Sequence, residues 1–259
     1  MKNDKPRPRI VASSVEELHE VIEEHWLDYL QMTKETFDSQ NSLMIVDNHA
    51  HHNSDPEYSE HILGPITTNR SFWKDKKALD FGCGCGRNIK NLLDAAEFQR
   101  VDGCDISKQN AAYSKEYINR FYSDDRCTTW ETDGYTLRPA SAEEYDLVMS
   151  HIVFQHIANH AIRFSIIVDM HRILKPGGMI NIHFMDLAGE AVEYHGCYPP
   201  INTTPEDFGI DKFNLLNCVV ENKNYIIKDL EQIGFREVTC FVGEDKYSHR
   251  PSYYVRGIK

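Results

Sequence analysis

Apolar positions recur along this chain with two periods, and the order in which the periods alternate predicts its architecture. The first patterned stretch is helical. Val15, Leu18, Ile22, Trp26 and Tyr29 fall three or four residues apart on one face, opposite Glu16, Glu20, Glu23 and Glu24. Ser13 or Ser14 supplies the cap, and the pattern carries the helix to about Gln31. An acidic outer face and an apolar inner one predict a covering helix, so Trp26 and Tyr29 are assigned to packing and not to binding.

From residue 78 onward short apolar runs alternate with helical stretches. Ala78–Phe81 reads as a strand. The helix after it, from Arg87 to about Ala96, buries Ile89, Leu92, Leu93 and Ala96. Arg100–Asp105 is a second strand, and Ser107 caps a helix reaching about Tyr122. Strands follow at Cys127–Thr132 and Tyr145–Ser150. A helix from about His160 to Leu174 then turns Phe164, Ile167, His171 and Leu174 to one side. Lys175-Pro-Gly-Gly178 is a turn signal before a fifth strand, Met179–Met185. A helix from about Asn224 to Gln232 stops at Gly234, and two strand-like runs, Arg236–Val242 and Tyr253–Ile258, close the pattern. Strands separated by helices predict a parallel sheet covered on both faces.

Two segments break the rhythm. Residues 47–61 hold four histidines among several carboxylates. Residues 187–223 form a connection too long to be idle. The division that follows is residues 1–74 as tail and helical cap, and 75–259 as the main domain with an insertion at about 187–223 on its substrate side.

The chemistry concentrates where the first strand ends, at Ala78-Leu-Asp-Phe-Gly-Cys-Gly-Cys-Gly-Arg87. Strand, glycine turn and helix start open a nucleotide-binding βαβ unit. A phosphate loop of the Gly-x-x-x-x-Gly-Lys-Ser/Thr kind is absent. The dinucleotide fingerprint Gly-x-Gly-x-x-Gly fits at Gly82 and Gly84, but its third position falls on Arg87, and the third glycine comes one residue early, at Gly86.

Asp-x-Gly-x-Gly-x-Gly resembles motif I of the class I S-adenosylmethionine-dependent methyltransferases. The resemblance continues in family order through Gly103-Cys-Asp105-Ile-Ser107, Thr132-Asp133-Gly134, Tyr145–Ser150 with Phe154-Gln-His-Ile157, and Arg172-Ile-Leu-Lys-Pro-Gly-Gly178. It covers roughly residues 77–185, and the closing helix and two strands match the family's terminal hairpin. It implies an α/β, Rossmann-like, seven-stranded and mostly parallel sheet with an antiparallel C-terminal hairpin and an N-terminal helical cap. It also implies S-adenosyl-L-methionine as methyl donor and S-adenosyl-L-homocysteine as product. The positions it points to are Asp80, Gly82, Cys83, Gly84, Asp105, Ile106, Asp133, Gly134, Ser150 and His151. Asp105 is placed to accept both hydroxyls of a ribose, since a carboxylate takes two hydrogen bonds and a vicinal diol offers two. Asp133 is similarly placed for an adenine amino group, with the Gly134 N–H beside it. Asp80 orders the glycine loop or meets the ligand's ammonium, as do backbone groups near Ser150 and His151.

Composition then excludes some alternatives. The 259 residues carry a formal net charge of −12 and no obvious basic stripe, which disfavours a nucleic-acid partner. No apolar run nears the ~20 residues of a membrane helix. Seven scattered cysteines fit a reducing cytoplasm. Cys83 and Cys85 read as small residues between glycines, and the histidines of 47–61 lack metal-ligand spacing, so no metal is expected. His151, His156 and His183 lie at the sheet edge that carries sites in open α/β folds, as candidate bases or acceptor contacts. The expectation is an enzyme of the EC 2.1.1 class that methylates O or N of a small polar metabolite. The alternatives are an NAD(P)-dependent oxidoreductase and a non-catalytic cofactor-binding regulatory protein.

Overall fold

The computed structural model describes residues 14–39, 55–157, 159–185, 223–244 and 251–259. The expectations for the tail, for residues 47–54 and for most of the 187–223 insertion lie outside these residues. Seven strands form one sheet in the order β3-β2-β1-β4-β5-β7-β6. The strands are β1 (Lys77–Phe81), β2 (Arg100–Asp105), β3 (Thr129–Glu131), β4 (Tyr145–Ser150), β5 (Leu174–Met185), β6 (Arg236–Glu244) and β7 (Pro251–Ile258). The first five run parallel, β7 pairs antiparallel with β5, and β6 pairs antiparallel with β7. This is the expected fold class. The chain leaves β1 toward β2 and β3, then returns past β1 to β4, so the order reverses between β1 and β4. Crevices for ligands form at such a reversal, beyond the carboxyl ends of the strands.

Each strand of the centre carries apolar residues on both faces, as burial on both sides requires. On one face, Leu79, Val148, Ile180 and Ile182 meet Leu18 and Ile22 of α1 (Val15–His25), together with α6 (His160–Ile173) and α7 (Lys223–Ile233). On the other, Ala78, Val101, Leu147 and Met149 meet Ile89 and Leu92 of α4 (Arg87–Ala95), Ile118 of α5 (Lys108–Asn119), and the segment from Tyr58 to Trp73. That segment is a π-helical turn at Tyr58–Leu63, the short helix α3 (Gly64–Thr67) and a 3-10 turn at Arg70–Trp73.

The local signals were read correctly at the caps. Ser14 accepts the Glu17 N–H at 3.1 Å, and Ser107 accepts the Asn110 N–H at 3.1 Å. Gly234 ends α7 at φ 117°, where glycine is unstrained.

Three details differ from the expectation. The N-terminal helix is two helices. Trp26 leaves helical angles at φ −124°, ψ 4°, and α2 (Leu27–Ser39) runs well past Gln31. The break lets one apolar face serve two surfaces, with α1 packing on α6 and α2 on α5. Val15 stays exposed at the start of α1. Second, β3 spans three residues and not six, as an edge strand with one neighbour. Third, Pro176-Gly-Gly178 lies inside β5, where the pairing register with β4 shifts between Tyr145 and Leu147. Gly177 takes φ 79° there, and Lys259 pairs with this bend through hydrogen bonds of 3.0 Å to Gly177 and from its own N–H to Gly178. Among the described residues, no helix is long and apolar enough to cross a membrane.

Candidate functional site

The glycine loop follows β1. Gly82, Gly84 and Gly86 all take left-handed angles, at φ 71°, 48° and 88°. Only glycine adopts these without strain. Gly82 has a second reason to be small. A Cβ there would lie 2.3 Å from Val153 Cγ2, so the loop after β4 closes directly onto its backbone. Gly84 differs, because a Cβ there would meet nothing within 4 Å. Its bare backbone borders open space. The loop is held by the Gly82 and Cys83 N–H groups, which both donate to the Cys104 carbonyl, at 2.8 and 3.0 Å. Cys83 is buried against Gly103, and burial pushes its thiol well above the ordinary range. No group of three metal-ligating side chains occurs among the described residues, and Cys83 and Cys85 serve packing.

The open space beside Gly84 is a cavity of about 380 Å³. Asp105, Ile106 and Gly134 line its sheet side, and Ile152, Val153 and His156 line the loop after β4. Tyr29, Leu30, Thr33 and Phe37 of α2 form the opposite wall. Asp105 is fixed in place. Its Oδ2 accepts the Gly84 N–H at 2.9 Å and its Oδ1 the Ser107 N–H at 2.9 Å. Oδ1 also accepts from Asn110 Nδ2 at 3.4 Å, and Oδ2 keeps a further lone-pair direction for a ligand hydroxyl. Burial raises the pKa of Asp105, while the two backbone N–H groups and Asn110 oppose that shift. Two polar ties hold α2 over this wall. Ser107 Oγ donates to Asp38 Oδ1 at 2.7 Å, and Lys34 pairs with Glu131.

Asp133 turns its carboxylate into its own bend. Oδ1 accepts the N–H groups of Tyr135 and Thr136 at 3.0 and 2.7 Å, and Oδ2 accepts the Thr136 hydroxyl at 2.6 Å. It borders a shallower depression shared with Lys34 and Glu131. Gly134, at φ 91°, packs so closely that a Cβ would lie 2.8 Å from Leu30 Cδ2. Ser150 spends its hydroxyl on the Phe81 carbonyl at 2.9 Å.

Asp80 points to the other face of the sheet, toward α4. Its Oδ1 accepts from Asn88 Nδ2 at 3.3 Å, and its Oδ2 has no partner among the described residues. Full burial pushes its pKa up to about 7. Around it lies a compact polar cluster. Tyr58 donates to Asn88 Oδ1 at 2.9 Å and accepts from Asn91 Nδ2 at 2.9 Å. Arg87 Nη2 donates to His151 Nδ1 at 2.9 Å. The His151 ring then sits 4.7 Å from that of Tyr58 and 4.8 Å from that of His183, and His183 sits 4.8 Å from Tyr254.

The three histidines thus have different surroundings. An arginine is always charged and can only donate, so His151 accepts at Nδ1 and carries its proton on Nε2. His183 likewise accepts, from the Ile152 N–H at 3.3 Å. His156 alone of the three lines the cavity. Its half-buried ring lies 6.0 Å from that of Phe37, and its carbonyl accepts the Tyr29 hydroxyl at 3.3 Å.

Residues 79–180 match a family model described as a methyltransferase domain. Over that stretch the chain is similar to methyltransferase domains. No curated protein sequence matches the chain. Solved structures resemble it in fold at low identity. One is phosphoethanolamine N-methyltransferase 2 of Haemonchus contortus with S-adenosyl-L-methionine, at 16% identity and TM-score 0.56. The match covers 76% of this chain and 52% of that one, so this chain spans about half the length of that enzyme. Another is a SAM-dependent methyltransferase of Aquifex aeolicus, at 16% identity and TM-score 0.53, covering 85% and 99%. A third carries the name sarcosine dimethylglycine methyltransferase, from Galdieria sulphuraria, at 15% identity and TM-score 0.58, covering 78% and 84%.

The site contains functional candidates that the sequence pattern did not single out. Tyr29, assigned above to packing, lines the cavity, while Trp26 is core. Tyr29, Thr33 and Phe37 recur every fourth residue, a signal hidden by ending the helix at Gln31. Arg87 and Tyr58 also went unmarked. The one signal for Arg87 was its place directly after the third glycine.

Proposed function

We propose that this chain binds S-adenosyl-L-methionine and transfers its methyl group to oxygen or nitrogen of a small polar metabolite. The observation that carries the reading is the pairing of an open, side-chain-free backbone at Gly84 with a carboxylate, Asp105, fixed by that same backbone. Asp105 would take the ribose hydroxyls, and Ile106 and Gly134 would flank the base. Gly82, Cys83 and Gly84 would pass under the methionine part. Asp80, with an unpartnered oxygen at the root of the loop, and the backbone at Ser150 and His151 supply the negative end for an ammonium group.

When bound, the sulfonium donor supplies an already activated methyl group. Much of what remains for the protein is alignment and exclusion of water. A base is needed where the acceptor atom must lose a proton. His156 suits that task best, because it borders the cavity and imidazole is the commonest general base. His151 and His183 each have Nδ1 committed, which suits orientation over proton abstraction.

The size and apolar lining of the cavity favour this donor over a dinucleotide, as does Arg87 at the third fingerprint position. Calorimetry with S-adenosyl-L-methionine, S-adenosyl-L-homocysteine and NADH is the test. Binding of the first two and not the third is expected. Silence from both sulfur compounds would sink the proposal.

A further inference from the structure

A half-buried guanidinium such as that of Arg87 is stabilised by a negative partner or by a full set of protein hydrogen bonds. Arg87 has neither among the described residues. Burial of its side chain lowers its pKa, although no shift of that kind uncharges an arginine at neutral pH. Its Nε donates to Asn88 Oδ1 at 3.2 Å, its Nη2 to His151 Nδ1 at 2.9 Å, and its plane lies 5.3 Å from the Tyr58 ring. All three partners are neutral. Asn88 carries no charge, His151 accepts at Nδ1, and burial pushes the Tyr58 hydroxyl up to about 12. Asp55 and Asp80 act on Arg87 only from beyond ion-pair distance, and Asp80 sends its Oδ1 to Asn88 instead. Two of the five N–H groups are thus engaged within the described chain, and the fork geometry suited to an oxyanion is left over.

The position matters as much as the charge. Arg87 opens α4 three residues after Gly84, and His151 follows β4 directly, two residues before Val153, which packs on Gly82. The cluster therefore borders the reversal between β1 and β4, on the side away from Asp105 and Gly134. A ligand that reaches Arg87 would lie beyond the adenosine wall, on the side where an acceptor must approach.

We propose that Arg87, framed by His151 and Tyr58, recognises an oxyanion of the methyl acceptor, so that the acceptor is a carboxylate- or phosphate-bearing metabolite. This rests on the donor reading above. A second source of the same chemistry is the carboxylate of the donor's own methionine part, and the test separates the two.

The full-length chain is saturated with S-adenosyl-L-homocysteine, so that the donor's carboxylate is already in place. Inorganic phosphate and acetate are then titrated in by calorimetry. At least one of them is expected to bind. In Arg87→Met that binding should fall at least tenfold, while affinity for S-adenosyl-L-homocysteine changes less than twofold. Arg87→Lys, which keeps the charge and loses the fork, should fall between; should the Met variant fail to fold in thermal melts, a threefold or larger loss in the Lys variant is the expected result. Neither anion binding to the saturated wild type, or equal binding by wild type and variants, overturns the proposal. So does a tenfold loss of S-adenosyl-L-homocysteine affinity in the variants, which would give Arg87 to the donor. If S-adenosyl-L-homocysteine fails to bind the wild type at all, the donor reading has failed and this one falls with it.

Discussion

Two halves of one sheet edge handle polar chemistry in opposite ways. Beyond β1, β2 and β3, the groups facing the cavity are mostly backbone and short side chains: Gly84, Asp105 and Gly134, with Asp105 held by the main-chain N–H groups of Gly84 and Ser107. Beyond β4, β5 and β7, the groups are long side chains from distant segments: Tyr58, Arg87, His151, His183 and Tyr254. The first half suits a ligand that is always the same, because backbone offers few variations. The second suits a ligand that differs between relatives, because each side chain there can change without altering the glycine loop's backbone.

Substitutions can test that contrast, beginning with the largest effect. Gly82→Ala places a methyl group 2.3 Å from Val153 at a left-handed backbone angle. Overpacking and strain together should cost about 3 kcal/mol, read as a lowered urea midpoint, and should abolish S-adenosyl-L-homocysteine binding. A variant as stable as the wild type would show that the loop after β4 is not locked to the glycine backbone. Next, Asp105→Asn keeps the shape and removes the charge that the Gly84 and Ser107 N–H groups point at. Donor affinity should drop by about 2 kcal/mol, some thirtyfold, with the far-ultraviolet spectrum unchanged. An unaltered dissociation constant would refute the ribose assignment.

Gly84→Ala is the informative partner of Gly82→Ala. Its methyl group meets nothing, so only the backbone angle is strained, at about 1 kcal/mol. Affinity should fall more than stability, because the methyl group projects toward the cavity that Gly84 lines. If stability falls as far as in Gly82→Ala, the two glycines are not distinct in kind.

A further test concerns Asp80 on the polar side. Its folded pKa, about 7, lies above the ordinary 3.8, so the folded protein holds this proton between roughly pH 4 and 7 and the unfolded chain does not. The native state binds more protons in that window, so this residue makes stability decline as pH rises through it. Asp80→Asn should flatten that part of the stability curve, and the two proteins should converge below pH 4. Parallel curves from pH 4 to 8 would mean that Asp80 is ionised throughout.

The same contrast explains what could be read from the chain alone. Gly82, Gly84 and Asp105 act through main-chain geometry and strand register, and both are written in local spacing. The succession of strands and helices was legible for the same reason, since hydrophobic period and turn residues are local signals, whereas the antiparallel C-terminal hairpin followed from the family resemblance. Arg87 and His151 are 64 residues apart, and nothing in either neighbourhood announces that they meet. Tyr58 lay in a stretch where the histidines drew attention, yet it is Tyr58 that is buried in the cluster. The break at Trp26 was invisible because apolar spacing continues straight across it. Only the need to cover two different surfaces bends the chain there.

That break also has a thermodynamic side. Because α2 supplies one wall of the cavity, a ligand bound there is held only by molecules in which α2 is docked. Mass action then makes the ligand a selective stabiliser of that docking. At a hundredfold excess over its dissociation constant it adds about 2.7 kcal/mol. The hydrogen bond from Ser107 to Asp38 is accordingly one end of a reciprocal exchange. Whatever loosens it weakens the ligand, and whatever fills the cavity shields the N-terminal helices from proteases.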